Sequence, residues 1–224
     1  MKRSEINNYI SEAVAFFDKH CFYLPEWTRW SPETWAQKGD ECNEIRNNGL
    51  GWDVTDFAKG DFLKEGLTLI TVRNGNVKLD KKTYCEKIMM VRVNQITPIH
   101  FHWKKMEDII NRGGGKLCMK LWKANEKEEM TQESCRVQID GVTTVIPAGD
   151  VLRLSPGQSI SFEPYMYHTF WAEETPCMVG EVSTVNDDVN DNRFLEPLGR
   201  FPEIEEDVAP QYLLCNEYMK CNSF

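Results

Sequence analysis

Histidine is scarce in this 224-residue chain, with four copies, and no apolar run reaches the roughly 18 residues needed to cross a bilayer. The start lacks the basic-then-apolar profile of a secretory leader. A membrane span and export are therefore not expected, and a cytoplasmic location is. Basic residues are also in deficit, 26 against 35 acidic, for a formal net charge of −9. No window gathers Lys and Arg into a phosphate-binding face, which argues against nucleic acid as a partner. Paired cysteines are missing too. The eight present (Cys21, Cys42, Cys85, Cys118, Cys135, Cys177, Cys215 and Cys221) are irregularly spaced without a Cys-x-x-Cys pair, so they read as reduced thiols and not as a disulfide or zinc framework. No fixed-period repeat or low-complexity segment occurs, which sets aside solenoids and propellers.

What is present is enough apolar material for a folded core: 41% hydrophobic residues, including 7 Trp, 7 Tyr and 11 Phe. The length suits one domain over 1–224, since a single core serves up to about 250 residues. Ser4–Lys19 places Ile6, Tyr9, Ile10, Ala13, Phe16 and Phe17 at helical spacing, with Ser4 as the expected cap. Residues 22–64 read as packed loops around a short helix near Ser31–Gln37, so that 1–65 forms an N-terminal appendage. From residue 66 to 184 the pattern is short β-rich runs between turns. The runs are Leu67–Val72, Lys87–Val93, Lys116–Lys123, Cys135–Val145 folded about Asp140-Gly141, Val151–Leu154, Ser159–Phe162, Thr169–Ala172 and Met178–Thr184. Such spacing predicts a mainly β sandwich or barrel. The acidic segment 185–224 keeps Phe194, Phe201, Leu213 and Leu214 as anchors and is expected to pack over the barrel.

Three of the four histidines fall in the strand region. Residues two apart on a strand share a face, so His100 and His102 project together. Glu107 follows within reach of a strand turn, and His168 can complete the set from a facing strand. At His100-Phe101-His102-Trp103-Lys104-Lys105-Met106-Glu107 and Gly113-Gly114-Gly115 the chain resembles the cupin family, whose first motif is His-x-His, then Glu, then Gly. The second motif corresponds to Glu163-Pro164-Tyr165-Met166-Tyr167-His168, without the usual glycine and with its proline one place nearer the histidine. The resemblance implies a double-stranded β-helix, or jelly-roll, barrel with an N-terminal helix and extended terminal segments. It also implies one divalent metal per chain on His100, His102, Glu107 and His168. Three nitrogens and a carboxylate leave coordination positions open, as catalytic sites do, and do not select among Mn, Fe, Ni, Co and Zn.

Longer strings resemble the D-lyxose isomerase family: Lys2 to Ile6, Thr97 to Asp108, Gly180 to Asp188, Asp191 to Phe194 and Gly199 to Asp207. That resemblance implies interconversion of D-lyxose with D-xylulose and of D-mannose with D-fructose, Mn²⁺ as the metal, and a homodimer. Aldose–ketose isomerisation by proton transfer through an enediol needs a base and polarised oxygens. Lys105, beside the metal turn, is a candidate to stabilise the oxyanion, and Glu203, behind Phe201 and Pro202, is the first candidate base. Glu181 is the reserve. Asp188, Asp191 and Arg193 are candidates for the sugar hydroxyls. Two alternatives stand beside this reading. A cupin dioxygenase would have a largely apolar pocket, and a non-enzymatic sugar-binding cupin would need no base. The polar run Asn186 to Arg193 favours a polyol ligand over a hydrophobic one.

Overall fold

The computed structural model describes residues 1–79 and 81–218; Cys221 lies outside them. Helix α1 (Arg3–Lys19) buries Ile6, Ile10, Ala13 and Phe17, the one-sided stripe that its sequence spacing predicts. Its cap is not Ser4. Lys2 takes that position and its N–H donates to the Glu5 carboxylate at 2.8 Å. Ser4 sits inside the helix and donates from Oγ to Asp207 at 2.6 Å, which ties α1 to the C-terminal segment. Two shorter helices follow, α2 (Pro32–Trp35), capped by the Ser31 hydroxyl, and α3 (Asn43–Asn47).

The strands are β1 (Gly51–Thr55), β2 (Leu67–Arg73), β3 (Tyr84–Val91), β4 (His100–Phe101), β5 (Glu107–Lys123) and β6 (Cys135–Ile139). They continue with β7 (Val142–Ile146), β8 (Leu152–Leu154), β9 (Ser159–Phe162), β10 (Met166–Thr184) and β11 (Arg193–Phe194). Two of them are longer than their sequence suggests. The runs Thr169–Ala172 and Met178–Thr184 are one strand, β10, and β5 begins at Glu107, well before the expected start at Lys116.

These two strands build the fold. Their first and second halves belong to different walls, because the ladder between them is interrupted between Glu173 and Cys177. On one side of the break β10 lies between β5 and β4, and β5 pairs with β8. On the other side β10 lies between β5 and β3, and β5 pairs with β9. A bulge of this kind bends a sheet and increases its twist, so one continuous ladder turns a corner into two facing walls of a cupin barrel. Gly114 has φ of +94°, and a Cβ there would lie 2.0 Å from the Pro176 carbonyl oxygen, so only glycine permits the corner.

Between the walls lies an apolar core that includes Leu69, Met89, Ile109, Leu117, Leu121, Ile160, Phe170 and Val179. The opposite face of β1, β2, β3 and β10 offers Trp52, Val54, Ile70, Ile88, Met90 and Met178, and α1 covers it. Each buried large side chain of α1 contributes roughly 1.5–3 kcal/mol. Phe17, fully buried and stacked near Trp52, is the largest of them. Truncation of Phe17 to Ala should cost about 3–5 kcal/mol in urea unfolding with the m-value unchanged. A loss under about 1 kcal/mol would mean that α1 does not hold the sheet.

Candidate active site

Alternation along the strands decides which side chains reach the barrel interior. On β10, His168, Phe170 and Ala172 share the inner face, and after the bulge Cys177, Val179 and Glu181 continue it. Lys87 is in step with Met89 and Val91 on β3, and Glu107 with Ile109 on β5. His100 stands directly across the ladder from His168, on the neighbouring strand and not on a facing one as the sequence suggests. His102 follows β4 by one residue. The three imidazoles and Glu107 thus meet at one end of the core.

Each histidine is fixed from behind. Nδ1 faces the carbonyl oxygen of Pro98 for His100 (2.8 Å), of Asp191 for His102 (2.6 Å) and of Met166 for His168 (3.0 Å). A carbonyl only accepts, so Nδ1 is the donor in all three and Nε2 is turned inward. The three candidate ligand atoms lie within 4.8 Å of one another. Glu107 Oε1 sits 3.4 Å from His102 Nε2 and 3.3 Å from His168 Nε2. That oxygen is buried without a hydrogen-bond partner among the described residues. A buried acceptor without a donor is costly, and separations of this size are the ligand-to-ligand edges expected around an ion with bonds of about 2.1 Å. His100, His102, Glu107 and His168 fit a divalent cation with N/O preference.

The electrostatics agree with that fit. Burial, reinforced by the neighbouring rings, holds His100 well below its ordinary pKa. Burial likewise pushes His168 down to about 4, so both rings are neutral at pH 7. For Glu107 burial acts upward, but Lys105 and His102 outweigh it and keep the carboxyl well below the usual range.

A second cluster adjoins the first. Buried Lys105 reaches Glu107 Oε2 at 2.9 Å and Glu181 Oε1 at 2.7 Å, so one ammonium joins the two carboxylates. Lys87 Nζ lies 3.5 Å from the same Glu181 oxygen, 3.4 Å from Asp188 Oδ1 and 2.7 Å from Asn186 Oδ1. Arg200 pairs closely with buried Asp53 on β1 and more loosely, at 3.5 Å, with Asp188. Burial opposes the charge on both lysines, yet the surrounding carboxylates raise both above the ordinary lysine value. Burial would raise Glu181, but Lys105 and Lys87 reverse the sign and lower it, so it stands ionised. Arg200 Nη1 is buried without a hydrogen-bond partner among the described residues. Around these groups is a cavity of about 50 Å³ whose other side is apolar, with Phe57, Leu69, Met89 and Phe194.

Of the residues singled out by sequence, Lys105, Asp188 and the reserve base Glu181 line this cavity with the four candidate ligands. Glu203, Asp191 and Arg193 do not. Glu203 is exposed on the outside of the barrel, where its carbonyl accepts from the Met1 amine at 2.9 Å. Its neighbour Ile204 packs on the cluster under α1, so extended-chain alternation turns Glu203 to solvent. Asp191 is buried, but its carboxylate is occupied by the backbone N–H groups of Lys104 and Lys105, both at 2.9 Å. It braces the turn that carries His102 and Lys105. Arg193 donates to Glu128 at 3.0 Å, and Glu128 also accepts from Trp103 at 2.7 Å. Sequence reasoning passes over Lys87, Arg200 and Asp53. For Lys87 a signal exists, a lone charge in phase with Met89 and Val91.

The family model described as D-lyxose isomerase matches residues 1–218. A D-lyxose/D-mannose isomerase of Serratia proteamaculans is 48% identical over 225 aligned positions, covering 98% of this chain and 99% of the relative. One from Escherichia coli O157:H7 is 49% identical over 223 positions, covering 97% and 98%. Among solved structures, an L-ribose isomerase variant of Acinetobacter sp. DL28 in complex with L-ribose superposes with a TM-score of 0.59 at 16% identity, over 91% of this chain and 98% of that one. The Cellulomonas parahominis L-ribose isomerase with L-psicose gives 0.58 at 18% identity, over 92% and 98%. At such identities the likeness speaks to the fold.

The histidines also set an acid sensitivity. A group whose folded pKa is depressed binds more protons when unfolded, so metal-free protein should lose stability as pH falls from about 6.5, the unfolded histidine value, towards the folded value of about 4 at His168. Carboxylates held low, such as Glu107 and Asp188, contribute only below their unfolded values of about 4. Urea midpoints of chelator-treated protein should therefore fall between pH 7 and pH 5, and His168→Gln should flatten that slope. A flat profile over that interval would show the rings to be solvated.

Proposed function

The chain belongs to the D-lyxose isomerase family, and from that premise we propose that this sugar isomerase interconverts D-lyxose with D-xylulose, and D-mannose with D-fructose, by proton transfer through an enediol. The names of its relatives support these aldoses. The observation that carries the reading is the buried Glu181 carboxylate linked through Lys105 to Glu107, beside three inward-facing imidazoles. His100, His102, Glu107 and His168 would hold one divalent ion, manganese in our reading, with Zn, Co, Ni and Fe sharing its ligand preference. When bound, such an ion supplies Lewis acidity towards the sugar's carbonyl and hydroxyl oxygens.

The protein groups supply the rest. Both lysines hold Glu181 through Oε1, which assigns the other oxygen to carbon. Glu181 removes the proton from C2 of the open-chain aldose as the C1 carbonyl oxygen gains a proton, giving the enediol. It then returns its proton to C1 while the O2 hydroxyl loses one, so the balance closes on the ketose without a co-reactant. Lys105, charged and 2.7 Å from Glu181, stabilises oxygen charge as it develops. The unpartnered Nη1 of Arg200 is placed to donate to a sugar hydroxyl, and Asp188 to accept from one. The apolar lip expected around Glu203 would raise a base's pKa; Glu181 is instead held low and ionised by two lysines. Its weaker basicity is offset by complete deprotonation at pH 7 and by the cationic surroundings of the oxygens.

The charged half of the cavity favours a polyol over the apolar substrate that a dioxygenase would take, and the buried base favours turnover over binding alone. The family resemblance supports a homodimer. A cytoplasmic location is part of the same reading; among the described residues no helix is long and apolar enough to cross a membrane.

Glu181→Gln should lower kcat by about 10² to 10⁴-fold, the usual contribution of one positioned acid–base group, while Glu203→Gln stays within about twofold of wild type. In deuterated water the product should carry deuterium at C1 or C2. Normal turnover by Glu181→Gln would place the base elsewhere, and complete retention of the original hydrogen would favour a hydride shift.

A further inference from the structure

A cavity of about 50 Å³ accommodates roughly one or two waters, given about 30 Å³ of liquid volume for each, and an open-chain pentose has ten heavy atoms. The sugar must therefore widen this space to reach the histidines. Two larger cavities adjoin this one. The first, of about 460 Å³, meets it at Thr97 and sets Lys59, Glu65, Lys120 and Glu196 around Ile96, Pro98, Trp171 and Leu198, with a single asparagine, Asn94. The second, of about 390 Å³, meets it at Asp188 and is lined by Asn47, Asn74, Asn76, Asp187, Asn186 and Asn216. Carboxamides donate and accept at once, as sugar hydroxyls do, and the second cavity gathers them where the first offers mainly groups that only donate or only accept.

The second cavity is also built to hold its shape on one side and to give on the other. Asn74 Nδ2 donates to the carbonyls of Asn48 (3.0 Å) and Asn186 (2.9 Å), its Oδ1 accepts from Asn186 N–H at 3.0 Å, and Asn48 returns a bond to the Asn74 carbonyl at 2.9 Å. Asn186 is further fixed to Lys87 at 2.7 Å. Asp188, the residue common to both cavities, has only long side-chain contacts, 3.4 Å to Lys87, 3.5 Å to Arg200 and 3.5 Å from Asn192 Nδ2, and is about one-fifth exposed. Of the dividing wall, Asn186 is the fixed post and Asp188 the part that can swing.

We propose that the asparagine-lined cavity is an outer binding site for the open-chain sugar, and that the Asp188 side chain is the gate between it and the histidine cavity. The proposal rests on the isomerase reading for its ligand class, an uncharged polyol. Swinging the carboxylate away from Lys87 joins the two spaces and leaves the amide frame standing.

The test places bulk at the rim, away from the reacting groups. Asn47 ends α3 and Val77 is exposed, and both line the outer cavity. In Asn47→Trp and Val77→Trp, kcat/KM should fall at least tenfold, more for D-mannose than for the smaller D-lyxose, with Tm and bound metal as in wild type. A third variant, Val77→Cys, should lose kcat/KM on modification with a bulky thiosulfonate and regain it with reductant, relative to wild type treated alike. This reversal reads the passage even where a tryptophan disturbs folding. Folded rim variants with kcat/KM within twofold of wild type, and a modified Val77→Cys enzyme that is unaffected, would overturn the outer site. If Glu181→Gln is at the same time inactive, the isomerase reading survives that result.

Discussion

Lys105 is buried with its ammonium between Glu107 and Glu181, and the site depends on that contact. Two carboxylates brought this close inside a barrel would repel each other and draw protons, which would spoil one as the candidate ligand and the other as the proposed base. The ammonium between them removes that conflict. A buried ion pair carries a desolvation cost that often cancels its Coulomb gain, so its value here is in fixing protonation states more than in net stability. Glu107 keeps one oxygen for Lys105 and turns the other to the histidines, while Glu181 stays ionised with one oxygen held. Lys87 extends the chain of charges to Asp188, and Arg200 carries it on to Asp53. The candidate metal ligands and the proposed base are thereby two ends of one electrostatic network.

The backbone serves the same end. The bulge near Gly114 turns β5 and β10 from one wall into the other, so Glu107 and Glu181 come from one wall and His100 and His168 from the second. Asp191 accepts the N–H groups of Lys104 and Lys105 while its carbonyl receives His102, so a single residue of the C-terminal segment places both that candidate ligand and the ammonium. Three imidazoles held at Nδ1 by carbonyls are preorganised before anything binds them.

Much of this is legible in the sequence because it follows from local rules. His-x-His on a strand puts two imidazoles on one face, and the apolar stripe of α1 and the Asp140-Gly141 hairpin follow from period and turn chemistry. The rest depends on tertiary context. Gly113–Gly115 and Glu173–Pro176 look like strand ends but are one corner in a continuous ladder, so β5 and β10 read short. β1 reads as loop, since Gly51 and Asp53 carry no strand propensity, yet pairing with β2 buries all five residues. Glu203 is attractive for its apolar neighbours, but those neighbours anchor the segment against the outside of the sheet. Arg200, three residues earlier, turns inward, and no pattern along the tail distinguishes the two.

The claim that the four side chains form one preorganised cation site is tested most directly by anomalous diffraction from crystals of the protein as purified, collected on both sides of the metal's absorption edge. The account predicts one anomalous peak per chain, about 2.0–2.3 Å from the Nε2 atoms of His100, His102 and His168 and from Glu107 Oε1, with Lys105 still bridging Glu107 and Glu181. A peak bound elsewhere, or a fully occupied ion that leaves Glu107 Oε1 uncoordinated, would contradict it.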